Sequence, residues 1–118
     1  MTTRATIEGY FGRLRERNGW DALLADDVVF TSLTSPTKSV SGKEPFLQAT
    51  RRFYGSIAHV DVRELLVEGD RACALTHYVI QPANGAPAFE SDVAELFTVR
   101  DGRIGTFTIC FDSAPYPK

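Results

Sequence analysis

The sequence predicts a single α+β domain spanning residues 1–118: a cone-shaped, curled antiparallel sheet packed on three N-terminal helices, in the order α-α-β-α-β-β-β-β. Three observations predict it. Before residue 58 apolar residues recur at helical spacing in three places, around one strand-like run. From Val60 onward the chain changes to β-rich runs separated by turn residues. Helices that must all cover one face of a long twisted sheet bury their apolar stripes when the sheet curls around them, which makes a cone with an open end.

The first helix is written by Ile7, Tyr10, Phe11 and Leu14 on one face, with Arg13, Arg15 and Glu16 on its flanks, and Asn18-Gly19 stops it. Trp20, Leu23 and Leu24 repeat the spacing over a shorter span and predict a second short helix ending at Asp26-Asp27. A strand from Val28 to Leu33 follows. Residues 34–41, TSPTKSVS, are a loop by composition, and Ser41-Gly42-Lys43-Glu44 has the form of a capping box that opens a third helix. Phe46, Ala49, Thr50, Phe53 and Ile57 form its inner stripe. The remaining runs, 60–67, 71–81, 88–99 and 103–111, are strands joined by hairpin connections, with Asp101-Gly102 suited to a tight turn of positive φ. The tail DSAPYPK is expected to be poorly ordered.

Composition narrows the function. Hydrophobic residues make up 43% and charged residues 24% of the chain, an ordinary globular balance. A net charge of −2, with no basic block longer than Arg51-Arg52, argues against a nucleic-acid partner. No apolar run has the length of a signal-peptide core or a membrane span, so no membrane partner and a cytoplasmic location are expected. Cys73 and Cys110 stand far apart, and His59 and His77 lie eighteen residues apart, so no metal and no cofactor is expected. Neither a G-x-S-x-G elbow nor a Gly-rich phosphate loop occurs, which removes support for nucleophilic hydrolysis and nucleotide binding.

Several stretches together resemble the nuclear transport factor 2-like superfamily, in particular its polyketide-cyclase-like (SnoaL-like) and ketosteroid-isomerase-like branches. They are Asn18-Gly19-Trp20-Asp21, the run Leu24-Ala25-Asp26-Asp27-Val28-Val29-Phe30, Ser41-Gly42-Lys43-Glu44, and Asp101-Gly102-Arg103-Ile104 followed by Phe111-Asp112. The resemblance covers nearly the whole chain. It implies a fold that hosts isomerases, cyclases, dehydratases, epoxide hydrolases, binding proteins and transport factors. The steroid isomerases of this superfamily use a helix tyrosine, a carboxylate base on the first strand and a protonated carboxylic acid on the penultimate strand. By resemblance these places fall on Tyr10, Ser32 and Glu95, so the base is replaced by a serine. The catalytic aspartate of the epoxide hydrolases falls on Ile109. Neither mechanism transfers intact.

Strand alternation gives a separate reading of the pocket. Glu95 shares a face with Val93, Phe97 and Val99, which places the carboxyl in an apolar wall, as a pocket acid, as one half of an ion pair, or against an oligomer contact. Phe107, Ile109 and Phe111 form the bulkier face of the last strand, and Phe30 and Ser32 point inward from the first. For 71–81 the phase is open: Cys73, Leu75, His77 and Val79 are about as apolar as Ala72, Ala74, Tyr78 and Ile80. The resemblance favours His77 inward, where it would titrate near neutrality; the opposite phase brings in Thr76 and Tyr78 instead.

The candidate catalytic residues are therefore Tyr10, His77 and Glu95, and the candidate ligand-binding residues Phe30, Ser32, Phe53, Phe97, Phe107, Ile109 and Phe111. Aromatic walls with a few polar groups point to a small, apolar, flat or polycyclic ligand. Proton-transfer chemistry of isomerase, cyclase or dehydratase type is the leading function. A ligand-binding protein without catalysis and a protein-interaction domain using the outer sheet face are the alternatives. Apolar residues left on that convex face, Leu65 and Val67 or Leu66, with Ala72, Ala74, Leu96, Thr98, Ile104 and Cys110, lead us to expect a homodimer.

Overall fold

A computed structural model describes residues 2–34 and 36–116. Two α-helices and six strands follow in the order α1 (Thr3–Glu16), β1 (Leu24–Ser32), β2 (Lys38–Ser41), α2 (Lys43–Gly55), β3 (Ile57–Glu68), β4 (Arg71–Ile80), β5 (Phe89–Arg100) and β6 (Arg103–Phe111). The strands form one sheet ordered β2-β1-β6-β5-β4-β3. Its neighbours pair antiparallel except β1 and β6, which run parallel. The sheet is thus mixed, where a wholly antiparallel one was expected. Hairpin signals report only pairings between sequence neighbours, and β1 meets β6 across most of the chain.

The expected three helices are two. Trp20–Leu23 makes a single 3-10 turn of four residues, too short for a helix of its own. Within the stretch expected to be a loop, Lys38–Ser41 pairs with β1 as an edge strand; Ser35 lies outside the described residues. The expected capping box does not form. Ser41 ends β2, and the N-cap is Gly42 at φ 97°, whose N–H donates to Val28 O at 2.7 Å. That positive φ calls for glycine, and a Cβ there would stand 3.4 Å from the Pro45 ring. Ile57, expected on the third helix, begins β3.

Asp101 and Gly102 both take positive φ, 53° and 74°, and join β5 to β6 in the tight turn that their sequence predicts. Register shifts in β3 after Ile57 and after Val62 let it bend, which helps the sheet curl over the helices. Ile7, Tyr10, Phe11 and Leu14 of α1 are all buried and pack with Val60, Ala72, Ala74, Phe97 and Ile104 of the sheet. Each such side chain, fully buried, contributes about 1.5–3 kcal/mol. Ala72, Ala74 and Ile104, expected on the outer face, belong to this core. A register shift between Thr98 and Val99 turns Ile104 inward beside Val99.

The tail also differs from expectation. Tyr116 packs its ring 4.9 Å from both Phe89 and Phe111 and donates its hydroxyl hydrogen to Ser91 Oγ at 2.9 Å. An aromatic side chain with two ring partners and a hydroxyl acceptor offsets the entropy of ordering a short segment. Pro117 and Lys118 lie outside the described residues. No helix among the described residues is long and apolar enough to cross a membrane.

Candidate functional site

The sheet register builds one apolar concavity in rows. Phe30, Phe107 and Phe97 stand side by side on β1, β6 and β5, and in the next row Ser32 and Glu95 flank Ile109. Beyond them Phe111 pairs with Val93, which pairs with Thr76. Strand spacing puts the Cα atoms of Ser32 and Glu95 about 10 Å apart across Ile109. Helix α2 roofs these rows with Ala49, Thr50, Phe53 and Tyr54, and Tyr116 closes one side. The cavity measures about 240 Å³.

Of the residues expected to bind ligand, Phe30, Ser32, Phe53, Phe107, Ile109 and Phe111 line this cavity. Phe97 does not. It is fully buried behind the lining, with its ring 4.6 Å from that of Phe107. Tyr10 is also set back: it is fully buried on α1, and its hydroxyl meets that of Tyr54 at 2.6 Å. Tyr54 lines the cavity in its place and stacks on Trp20 at 4.0 Å. Burial pushes the pKa of both tyrosines up, so both stay protonated at neutral pH.

The inward placement of His77 is corrected. On β4 the cavity side carries Thr76 and Tyr78 with Ala74, the phase opposite to the one the resemblance favoured, and His77 rises from the convex face. There its Nδ1 lies 2.7 Å from Asp92 and its Nε2 2.8 Å from Glu90. Two carboxylates fitted to one imidazole stabilise its charged form, and the hydrogen bonds to Asp92 and then Glu90 raise its pKa above 6.5. Asp61 of β3 sits opposite it in register and pairs with Arg63 at 3.5 Å. An outward histidine gains more from these acids than from an apolar pocket.

Among the described residues Glu95 is the one ionisable carboxyl in the concavity, and it is only 3% exposed. Among the described residues, too, no cation lies within salt-bridge distance of it. Its partner is Tyr78, whose hydroxyl donates to Oε1 at 2.9 Å and Oε2 at 3.1 Å. Burial dominates and lifts the Glu95 pKa to about 7, opposed by the hydroxyls of Thr76 and Tyr78. Thr76 faces the carboxyl, yet its buried Oγ1 falls short of hydrogen-bond geometry with any described group. A hydroxyl so placed can donate to the carboxylate or accept from the protonated acid. Burial and the nearby Glu95 charge raise the pKa of Tyr78, which keeps its hydroxyl a donor.

Tyr54, Tyr78, Thr76 and Tyr116 were missed as site residues or held only as an alternative. Tyr54 had a signal, since it follows Phe46 and Thr50 at the i+8 and i+4 positions of the helix stripe. Among the described residues no group of three His, Cys, Asp or Glu is placed to hold a metal ion.

Comparison with known proteins agrees with this architecture. A SnoaL-like polyketide cyclase, so proposed, from Mesorhizobium loti superposes with a TM-score of 0.75 at 20% identity, over 92% of this chain and 98% of that one. An LEH-like epoxide hydrolase from M. tuberculosis gives 0.75 at 21% identity, over 93% and 82%. A proposed ketosteroid isomerase from Kribbella flavida gives 0.71 at 22%, over 98% and 82%. At such identities the likeness is one of fold. No curated protein matches the sequence significantly. The SnoaL-like domain family matches residues 7–105, most of the chain, and the protein belongs to that family, on the nuclear transport factor 2-like fold.

Proposed function

We propose that the protein is a small-molecule enzyme that moves a proton on an apolar substrate, in an isomerisation, cyclisation or dehydration, with Glu95 as the group that accepts and returns it. The observation that carries this reading is a buried carboxyl with a pKa near 7, without a cation beside it among the described residues, in a largely apolar cavity. Near neutrality both its forms are populated, so the carboxylate can take a proton from carbon and the acid can give it back. The Tyr78 hydroxyl donates to both carboxylate oxygens and stabilises the ionised form that begins the cycle and is restored when the proton is returned. Phe30, Phe107 and Ile109 supply the walls for a flat ring, and Ser32, in the row of Glu95, offers a polar handle without basicity.

The family diversity supports the reaction class without choosing within it. The test uses β-tetralone, an apolar bicyclic ketone with acidic protons beside its carbonyl. In deuterated buffer the protein should speed deuterium uptake into the ketone, and Glu95→Gln should cut that acceleration by about a hundredfold or more. Binding without exchange would favour the ligand-binding alternative. Equal exchange by the Glu95→Gln variant would overturn the assignment of Glu95.

A homodimer through the convex face belongs to the same proposal. Leu66, Leu75 and Leu96 are exposed there, and the register joins them to Cys73, Ala94 and Cys110 in one patch over β3 to β6. Pairing through it would leave the cavity mouth free.

A further inference from the structure

A second chamber, about 540 Å³, opens on the far side of Phe53 and Tyr116 from the Glu95 cavity. The two spaces share Ala49, Phe53 and Tyr116, so these side chains form a partition between neighbouring lobes. Phe53 stands on α2, whereas Tyr116 belongs to the folded-back tail and is held by Ser91, Phe89 and Phe111. Tyr116 therefore stands in the partition on a segment outside the helices and strands, and moving it aside breaks one hydroxyl hydrogen bond and two ring contacts.

The polar chemistry of the outer lobe is one-sided. Its floor is apolar, with Ile80, Pro82 and Phe89. Among the described residues Arg52 is the one charged side chain in its lining, and no described carboxylate pairs with it. Asn84 also lines it, with its amide oxygen already accepting from Ala86 N at 3.0 Å, which leaves the amide N–H groups to donate. The Ser56 hydroxyl is spent on Phe53 O at 2.7 Å. What remains to meet a ligand is a guanidinium and an amide donor, and no described acid.

We infer that the two lobes form one bipartite site for an amphiphilic carboxylate: its ring system lies in the inner cavity against Glu95 and Tyr78, and its anionic end reaches past Phe53 and Tyr116 to Arg52 and Asn84. This rests on the inner-cavity reading above and extends it to a substrate class. An acidic end cannot lie inside, where the ionisation of Glu95 itself is disfavoured by burial and a second negative charge would be more so. The outer lobe supplies the cation that the inner one lacks.

The test uses β-naphthol as a neutral ring probe, and ω-(2-naphthyl)alkanoic acids from butanoic to octanoic acid with the matching primary amides, titrated by calorimetry at neutral pH. β-naphthol should bind wild type, Arg52→Met and Arg51→Met alike. At the chain length that spans the partition the acid should bind about fivefold tighter than its amide, and Arg52→Met, but not Arg51→Met or Arg52→Lys, should erase the difference. Asn84→Asp should weaken the acid and leave the amide unchanged. If β-naphthol binds and acid and amide remain equal at every length, or Arg52→Met leaves the acid's preference in place, the bipartite inference is overturned alone. If β-naphthol itself does not bind, the inner-cavity reading falls and the inference with it.

Discussion

Replacing Glu95 by glutamine should change how stability depends on pH, and the size of the change follows from the burial of the carboxyl. In the unfolded chain Glu95 titrates near 4.5, and in the folded protein burial raises it to about 7. The folded state therefore holds the proton more tightly than the unfolded one. Stability is greatest below pH about 4.5 as far as this group is concerned, falls as pH rises toward about 7, and is level beyond. Each pKa unit is worth about 1.4 kcal/mol, so the loss across the window is about 3 kcal/mol, or about 10 °C in Tm for a chain of 118 residues. The glutamine side chain keeps the shape, accepts from the Tyr78 hydroxyl through its oxygen, and presents an N–H group to Thr76 Oγ1, the buried acceptor without a described partner. Calorimetric melting at pH 5 and pH 8 should show the Glu95→Gln variant close to wild type at the lower pH and more stable by most of that amount at the higher. Equal pH dependence in the two proteins would refute the claim that burial holds Glu95 protonated.

Other perturbations follow from the same geometry. Tyr78→Phe removes the hydroxyl that donates to both Glu95 oxygens, a charge-assisted bond of about 1.5–3 kcal/mol, and should raise the Glu95 midpoint by about one to two units in a carboxyl-resolved NMR titration. Ile109→Trp places an indole between Ser32 and Glu95 and should abolish β-naphthol binding while the protein remains folded by circular dichroism. His77→Gln should leave exchange of β-tetralone unchanged, because His77 faces away from the cavity; a loss comparable to that of the Glu95 variant would contradict the phase of β4. Leu75→Asp with Leu96→Asp should convert a dimer to a monomer in sedimentation at micromolar concentration, and a wild type already monomeric there would remove the convex-face interface.

The parts of the site legible in the sequence are those where one face of a strand differs strongly from the other. On β5, Val93, Glu95, Phe97 and Val99 are buried and Asp92, Ala94 and Leu96 exposed, the alternation that placed Glu95. β4 was not legible by hydropathy, since its two faces are equally apolar. Its phase is set by what each residue meets: Tyr78 needs a partner for a buried hydroxyl and finds Glu95, while His77 finds Asp92 directly across the pair. That cross-strand acid carried a usable signal, because Asp92, an odd number of residues from Glu95 on the same strand, falls on the face opposite to it. β2 could not be seen at all. Lys38–Ser41 has little strand propensity, and its extended form depends on the edge of β1. The parallel contact of β1 with β6 is likewise a product of closure of the whole sheet rather than of any local run.

Tyr10, placed in the site by resemblance, lies beside the cavity without lining it. Its hydroxyl points toward the site but ends on Tyr54, which stands between it and the cavity. Tyr54 in turn is fixed by its stack on Trp20, so the short 3-10 turn serves the site by holding a helix residue from behind. Ordinary side chains thus give the pocket its polarity: a buried acid, Glu95, with Tyr54, Tyr78, Tyr116 and Ser32 in the same lining.

The most direct test is a crystal structure of the protein grown with β-naphthol at saturation. The account predicts the naphthalene rings among Phe53, Phe107 and Ile109, with the hydroxyl within hydrogen-bond distance of the Glu95 carboxyl. A cavity that stays empty at saturation, or a probe bound only on the convex face around Leu66 and Leu96, would contradict it.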